Sequence, residues 1–339
     1  AITVFIDEFQ EFRKVNASTF SILQELWDRN HDRIKLNLVV CGSINTLMNK
    51  IFFGRKEPLY GRQTAFVRLE PFSTSVLKEI LRFHKKNFAP EDLLALWALT
   101  GGVAKYVALL MDAHATDRQK MFATFFSDAS PFLEEGKTIL IQEFGNDFAT
   151  YFTILSSIAS GHTKFAEIKN DLGADVGSYL SNLEKTYGLI RRVSPAYAPA
   201  GSKNAAYRIE DPFLRFWFRY VFKNAALVEL GKFERLRKLA NDDYAAFSGI
   251  ALERYFYWKF AEDSDYTQMG GWWDRKGENE IDLVCEDETS RMLDFYEVKR
   301  DCRNIDLAAL ERKAERFFEK HPEKASCKRR FLGLSLEEM

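Results

Sequence analysis

The chain opens on an unbroken apolar run, Ile2-Thr-Val-Phe-Ile6, β-branched or aromatic at every position. Continuous rather than alternating apolarity predicts a strand covered on both faces, as in a parallel α/β sheet. Asp7 and Glu8 follow at its carboxyl end, where ligands sit in open α/β sheets. Ser18 or Thr19 caps a helix running to about Arg29. A second run, Leu36 to Cys41, predicts another buried strand, ending in Gly42-Ser43, and a third, Thr64 to Leu69, leads to Pro71. Strand–helix–strand–helix–strand is the pattern of a parallel sheet.

From 74 to 145 the spacing becomes helical. Ser73 stands as a cap, Pro90 falls in the first turn of another helix, and Phe122, Phe125 and Phe126 are expected to fill a core. Three helices are then predicted at 148–160, 163–172 and 175–187, each stopped by a glycine (Gly161, Gly173, Gly188). Strands at 189–193 and 207–209 flank a Pro/Gly/Ala loop, and three helices followed by a hairpin is the pattern of a winged helix-turn-helix. Farther on, Phe247 to Tyr255 reads as a helix carrying Glu253, and 281–286 and 291–299 as strands joined by the acidic turn Asp287-Glu-Thr-Ser290. A turn centred between Glu288 and Thr289 sets Asp282 opposite Phe295. Glu297 and Lys299 then share its face, with Glu297 a diagonal neighbour about 7–8 Å from Asp282. Carboxylates so placed can converge on a hard divalent cation.

Composition narrows this picture. A length of 339 residues is enough for two or three domains, and 46% hydrophobic with 29% charged residues is ordinary for a soluble chain. A formal net charge of -1 excludes a globally basic coat for nucleic acid. Locally the balance differs. Residues 185–238 hold twelve basic and four acidic side chains, net +8, leaving -9 for the rest. That excess suits phosphates, a solvated face or an acidic protein partner. The helix expected to read DNA offers Ser178, Asn182 and Lys185 but no arginine, which argues against sequence-specific readout. Cys41, Cys285, Cys302 and Cys327 form no C-x-x-C pair, which leaves reduced thiols as the default, and the five histidines lack ligand spacing. No apolar run approaches the roughly 20 residues of a membrane helix. Acids stand near the start, where a signal peptide wants bases, so a cytoplasmic chain is expected.

Two resemblances add to this reading. The strand ending in Asp7-Glu8 resembles the Walker B motif of P-loop ATPases. Together with Gly42-Ser43, Met48, Pro58-Leu-Tyr-Gly-Arg62 and Thr100-Gly-Gly-Val-Ala-Lys-Tyr106 it is similar to the archaeal-type ATPases related to AAA+ and STAND NTPases. The resemblance implies that Asp7 holds Mg2+, Glu8 orients the attacking water, Ser43 senses nucleotide and Arg62 acts as an arginine finger, in a homo-oligomer if it reaches across an interface. The family usually has proline where Ala104 stands. No G-x-x-x-x-G-K-[ST] phosphate loop occurs in the sequence, so an amino-terminal piece is expected to be missing, with a degenerate ATPase as the alternative. The second resemblance is to the PD-(D/E)XK nuclease core, a domain the same ATPases carry at their carboxyl end. It implies Asp282 and Glu297 as Mg2+ ligands, Glu253 as support for a ligand or metal-bound water, and Lys299 as the residue that positions the nucleophile.

The expected architecture is therefore α/β throughout. An ATPase portion occupies 1–73, a helical lid 74–146, a winged helix 147–212 and a nuclease-like domain 213–339. The expected function is ATP hydrolysis coupled to DNA binding or processing, with ATP and Mg2+ as cofactors, DNA or a protein partner at the winged helix, and no membrane. The alternative is a nucleotide-gated switch or DNA-binding regulator whose nuclease-like domain does not cut.

Overall fold

The computed structural model describes residues 2–42, 45–199 and 201–339. Strands β1 (Ile2–Ile6) and β2 (Leu36–Val40) pair in parallel, Ile2 opposite Leu36 and Ile6 opposite Val40. Helices α1 (Phe12–Val15) and α2 (Thr19–Asn30) lie between them in sequence, and α3 (Asn45–Phe53) follows. Phe9, Phe20, Ile51 and Leu59 form a small core here, joined by Ile6, Val40 and Met48. The expected burial of 2–6 is not met: Ile2 is 68% and Phe5 74% exposed. Two strands offer two faces, and this core covers only one of them. The third expected strand does not form either. Residues 64–69 are irregular, with Val67 78% and Leu69 91% exposed. A strand exists through the partner that takes its backbone hydrogen bonds, and among the described residues this segment has none.

The helical region begins with α4 (Thr74–His84), where the Ser73 side chain accepts the Val76 N–H at 3.2 Å. In α5 (Pro90–Thr100) Asp92 reaches back to accept the Ala89 N–H at 3.0 Å. Helices α6 (Ala104–Asp112), α7 (Arg118–Phe125) and α8 (Pro131–Phe144) follow. Then come α9 (Phe148–Ser160), α10 (Phe165–Leu172) and α11 (Gly177–Lys185), and the antiparallel hairpin of β3 (Ile190–Val193) and β4 (Ala206–Ile209). Helix α12 (Pro212–Tyr220) carries Phe213, Phe216 and Trp217 into the centre, where Phe216 packs on Phe122, Phe125 and Phe126. After α13 (Ala225–Glu229), the 31-residue α14 (Phe233–Asp263) runs on, about 46 Å at 1.5 Å per residue.

The carboxyl-terminal sheet has the order β5-β6-β7-β8, formed by β5 (Gln268–Trp273), β6 (Glu280–Asp287), β7 (Met292–Val298) and β8 (Lys328–Leu334). Between β7 and β8, which are parallel, α15 (Leu307–Lys320) crosses over and packs Leu310, Ala314 and Phe317 on Val284, Leu293 and Phe295. The register of β6 on β7 corrects the sequence expectation. Leu283 faces Tyr296 and Val284 faces Phe295, so the ladder carried one step on sets Asp282 directly opposite Glu297, not opposite Phe295. The turn centres one residue later than expected. Asp287 Oδ1 accepts the N–H groups of Thr289 (2.9 Å) and Ser290 (3.2 Å), and Arg291 takes a left-handed φ of 53° before β7 begins.

Phe216→Ala should lower the unfolding free energy of this chain by about 3–5 kcal/mol in urea titrations. Phe5→Ser, at an exposed position, should shift it by no more than about 0.5 kcal/mol.

Candidate functional site

Two groups of acidic residues stand at strand ends, and they differ in how far the fold assembles them. At the end of β1, Asp7 Oδ1 accepts the Glu8 N–H (2.9 Å) and the Cys41 thiol (3.0 Å). Those two bonds, the thiol's first, hold the exposed Asp7 carboxyl below its ordinary range. Glu8 has a left-handed backbone, φ 48°, and its carboxylate accepts the Gln10 amide. Ser43 lies outside the described residues. Arg62 is engaged by α2: Nε and Nη2 donate to the two oxygens of Asp28 at 2.8 and 2.7 Å, and Nη1 donates to the carbonyls of Pro58 (2.9 Å) and Tyr60 (3.1 Å). A guanidinium so committed is positioned by its own connection.

In the tail the fold brings the expected residues together. Lys299 Nζ lies 3.4 Å from both Asp282 Oδ2 and Glu297 Oε1. Burial opposes its charge, but the two carboxylates outweigh that and raise its pKa. Asp282 Oδ2 also accepts the Val298 N–H at 2.7 Å, and Glu297 Oε2 the Asp306 N–H at 2.8 Å. Lys313 of α15, which sequence reasoning did not single out, approaches Glu297 Oε1 at 3.7 Å. Glu253, half-buried on α14, is pushed up to about 7 by burial first and by the Asp282 charge next. The donors are hard carboxylate oxygens of the kind Mg2+ takes. Among the described residues, however, no set of three Asp, Glu, His or Cys side chains is arranged to hold a metal ion. Asp282 and Glu297 are the pair that could ligate one, and Glu253 does not complete a set of three with them.

Glu253 and Asp282 open into a cleft of about 350 Å³ between the β3–β4 hairpin, α14 and the β5–β6 edge. Arg191 and Arg208 of the hairpin, and Arg254, Tyr257 and Trp258 of α14, line it. The two hairpin arginines belong to the basic excess visible in the sequence, but nothing in their spacing tied them to residues 253–299. Arg254 is buried and donates to the carbonyls of Ile209 and Glu210, both at 2.5 Å, which locks the hairpin to α14.

The fold and site define a mixed α/β chain with a large helical centre and a carboxylate–lysine cluster on a four-stranded sheet. A family described as archaeal and bacterial proteins of unknown function, DUF234, matches residues 217–318, from within α12 to within α15, and so takes in Glu253, Asp282, Glu297 and Lys299. The uncharacterized protein MJECL04 of Methanocaldococcus jannaschii is 30% identical over 323 residues, covering 91% of this chain and 70% of that protein. The chain belongs to the family of that protein. A solved structure of the Walker-type ATPase Paby2304 of Pyrococcus abyssi is similar at a TM-score of 0.45 and 19% identity. That likeness covers 64% of this chain and 62% of the other, less than two thirds of its length. Among the described residues no helix is long and apolar enough to cross a membrane.

A folded-state pKa above the unfolded one means that the native Glu253 holds a proton the unfolded chain has already released. Stability should therefore fall as pH rises from the ordinary glutamate range to about 7. In metal-free buffer, ¹³C NMR titration should find the Glu253 midpoint lowered in Asp282→Asn, and Glu253→Gln should flatten that part of the stability profile.

Proposed function

We propose that the chain acts in an ATP-dependent protein that processes or holds nucleic acid, with Asp7 and Glu8 at the nucleotide end and Asp282, Glu297 and Lys299 at a phosphodiester end. The observation that carries the second half is the lysine ammonium set 3.4 Å from two carboxylates on directly opposed strand positions, at the edge of a cleft with arginines in its wall. Asp282 and Glu297 would hold Mg2+, which when bound supplies activation of water and stabilises charge developing on phosphate. Lys299 would position the attacking water and neutralise that charge, and the Asp306 and Val298 N–H groups keep the two carboxylates aimed. Glu253 would take up or hold a proton beside them.

The nucleotide end rests on the resemblance of Asp7-Glu8, Ser43 and Arg62 to an ATPase site. Asp7 stands exposed at a strand end with its carboxylate oriented by two donors, which suits a metal-bridged phosphate. The hairpin and the three helices before it would serve as a winged helix that contacts DNA or a protein. A second reading, a nucleotide-gated switch whose tail binds without cutting, is favoured by the place of Lys299 between the two carboxylates and by the lack of a three-residue metal set among the described residues.

On end-labelled DNA in Mg2+, Asp282→Ala and Lys299→Ala should each lower the cleavage rate by about 10²-fold or more, in the range seen on removing one charge-stabilising group. Absence of metal-dependent cleavage by the wild type on single-stranded, duplex and forked DNA would select the switch. In a preparation that turns over ATP, Glu8→Gln should lower kcat by about 10²–10⁴-fold while leaving nucleotide binding in place, as for loss of a general base.

A further inference from the structure

The β3–β4 hairpin carries an arrangement that costs stability unless something anionic answers it. Arg191 and Arg208 are paired directly across the two strands. Like charges in that position repel. Arg191 has one ion pair, to Glu210 at a loose 3.9 Å. Arg208 is half-buried, and its guanidinium makes no hydrogen bond or ion pair with any described residue. Both line the cleft that also holds Glu253 and Asp282. Of the carboxylates in the cleft, Glu210 reaches Arg191 only at 3.9 Å, and none forms an ion pair with Arg208 among the described residues.

On the α14 side of the same cleft stand Tyr257 and Trp258. Trp258 is 40% exposed, unusual for a tryptophan beside a core, and neither aromatic places its polar atom in a hydrogen bond among the described residues. The β5 side includes Gly270 and Gly271; a Cβ on Gly270 would meet Ala196 Cβ at 3.8 Å, while one on Gly271 would come within 3.3 Å of the Asp282 carbonyl. Arginines along one side and a half-exposed tryptophan on the other are the elements with which proteins hold single-stranded nucleic acid, the arginines tracking phosphates and the ring stacking a base. At about 350 Å³ the cleft lies near the low end of roughly 300–1,000 Å³ for small-ligand sites, a size that suits unpaired nucleotides better than a duplex.

We infer that the cleft between the hairpin and α14 binds one nucleic-acid strand, with Arg191 and Arg208 on its phosphates and Trp258 stacked on a base, and leads that strand to Asp282. This deepens the phosphodiester reading and rests on it only for the bond that reacts. The hairpin thus serves as the outer wall of the tail site, not as a separate module.

Binding without metal tests it apart from cleavage. Fluorescence anisotropy of the full chain in EDTA would be read with labelled (dT)12, (rU)12 and a 12-base-pair duplex, with inorganic polyphosphate as competitor. The wild type should bind a single strand more tightly than the duplex. Arg191→Gln, Arg208→Gln and Trp258→Ala should each weaken that binding about tenfold, within the range for a lost phosphate or stacking contact. Each arginine variant should also lower the salt slope by about 0.7. Lys120→Gln, at an exposed position of α7, should leave the affinity unchanged. The (dT)12 and (rU)12 arms decide whether DNA or RNA is preferred. Tighter duplex binding would overturn the inference. So would equal displacement by polyphosphate with no effect of Trp258→Ala, or wild-type affinity in Arg191→Gln, whose exposed side chain leaves folding intact. Strand binding without any cleavage in Mg2+ would support this inference while removing the nuclease reading.

Discussion

A buried guanidinium holds this molecule's parts in their relation. Arg254 lies inside the protein with two backbone carbonyls, those of Ile209 and Glu210, as its hydrogen-bond partners. Burial pushes its pKa down, and Glu210 is the largest influence the other way. A buried cation without those acceptors would cost several kcal/mol, so the end of the β3–β4 hairpin is obliged to sit against α14. The same helix reaches the other parts. Its Glu262 accepts the Thr74 N–H (2.9 Å) and hydroxyl (2.6 Å) at the start of α4, and its Tyr255 and Phe256 join the core that includes Leu283, Tyr296 and Val298 of the sheet. Helical centre, hairpin and sheet are therefore one packed body with α14 as its spine.

That body was legible where local chemistry decides structure. Ser73, Pro90 and the stop glycines Gly161 and Gly173 mark helix ends because capping and left-handed φ are local demands. The tail pair Asp282 and Glu297 was also legible, since alternation along a strand fixes which side chains share a face. What the sequence misplaced was register, because the Asp287 side chain holds a four-residue turn, 288–291, that sits one residue later than the expected 287–290. Residues 64–69 show the opposite failure. Their apolar, β-branched pattern reports a preference for a pleated surface, but a strand needs a neighbour, and preference does not supply one.

The cleft was illegible for another reason. Its walls come from residues 191–210, 253–258 and 268–283, and no periodicity links segments that far apart. Long-range contacts bring them together: Arg254 ties α14 to the hairpin, and the Ala196 N–H donates to the Gly271 carbonyl of β5 at 2.8 Å. Arg254 itself reads in sequence as one more basic residue on a helix, indistinguishable from an exposed neighbour.

Net charge misleads in the same way. The +8 excess over residues 185–238 suggests a broad basic face, yet part of it is consumed internally. Arg219 is held by both oxygens of Asp243 at 2.6 and 2.9 Å, Arg237 pairs with Glu234, and Lys238 with Asp242 at 2.8 Å. Arg215 is buried over the Phe247 ring, its guanidinium carbon 4.3 Å from the centroid. All three of those acids, Glu234, Asp242 and Asp243, sit on α14 itself, and two of them lie beyond the window in which the excess was counted. Once these pairs are removed, Arg191 and Arg208 still face each other across the hairpin, with Glu210 at 3.9 Å from Arg191 as the one ion pair between them and any described residue. An arginine with a short bidentate partner has little left to offer a phosphate, because each N–H already engaged must be freed before it can be reused. The charge available to a ligand is therefore set by pairing geometry, and Arg191 and Arg208 are the share of it that the fold places on the cleft wall.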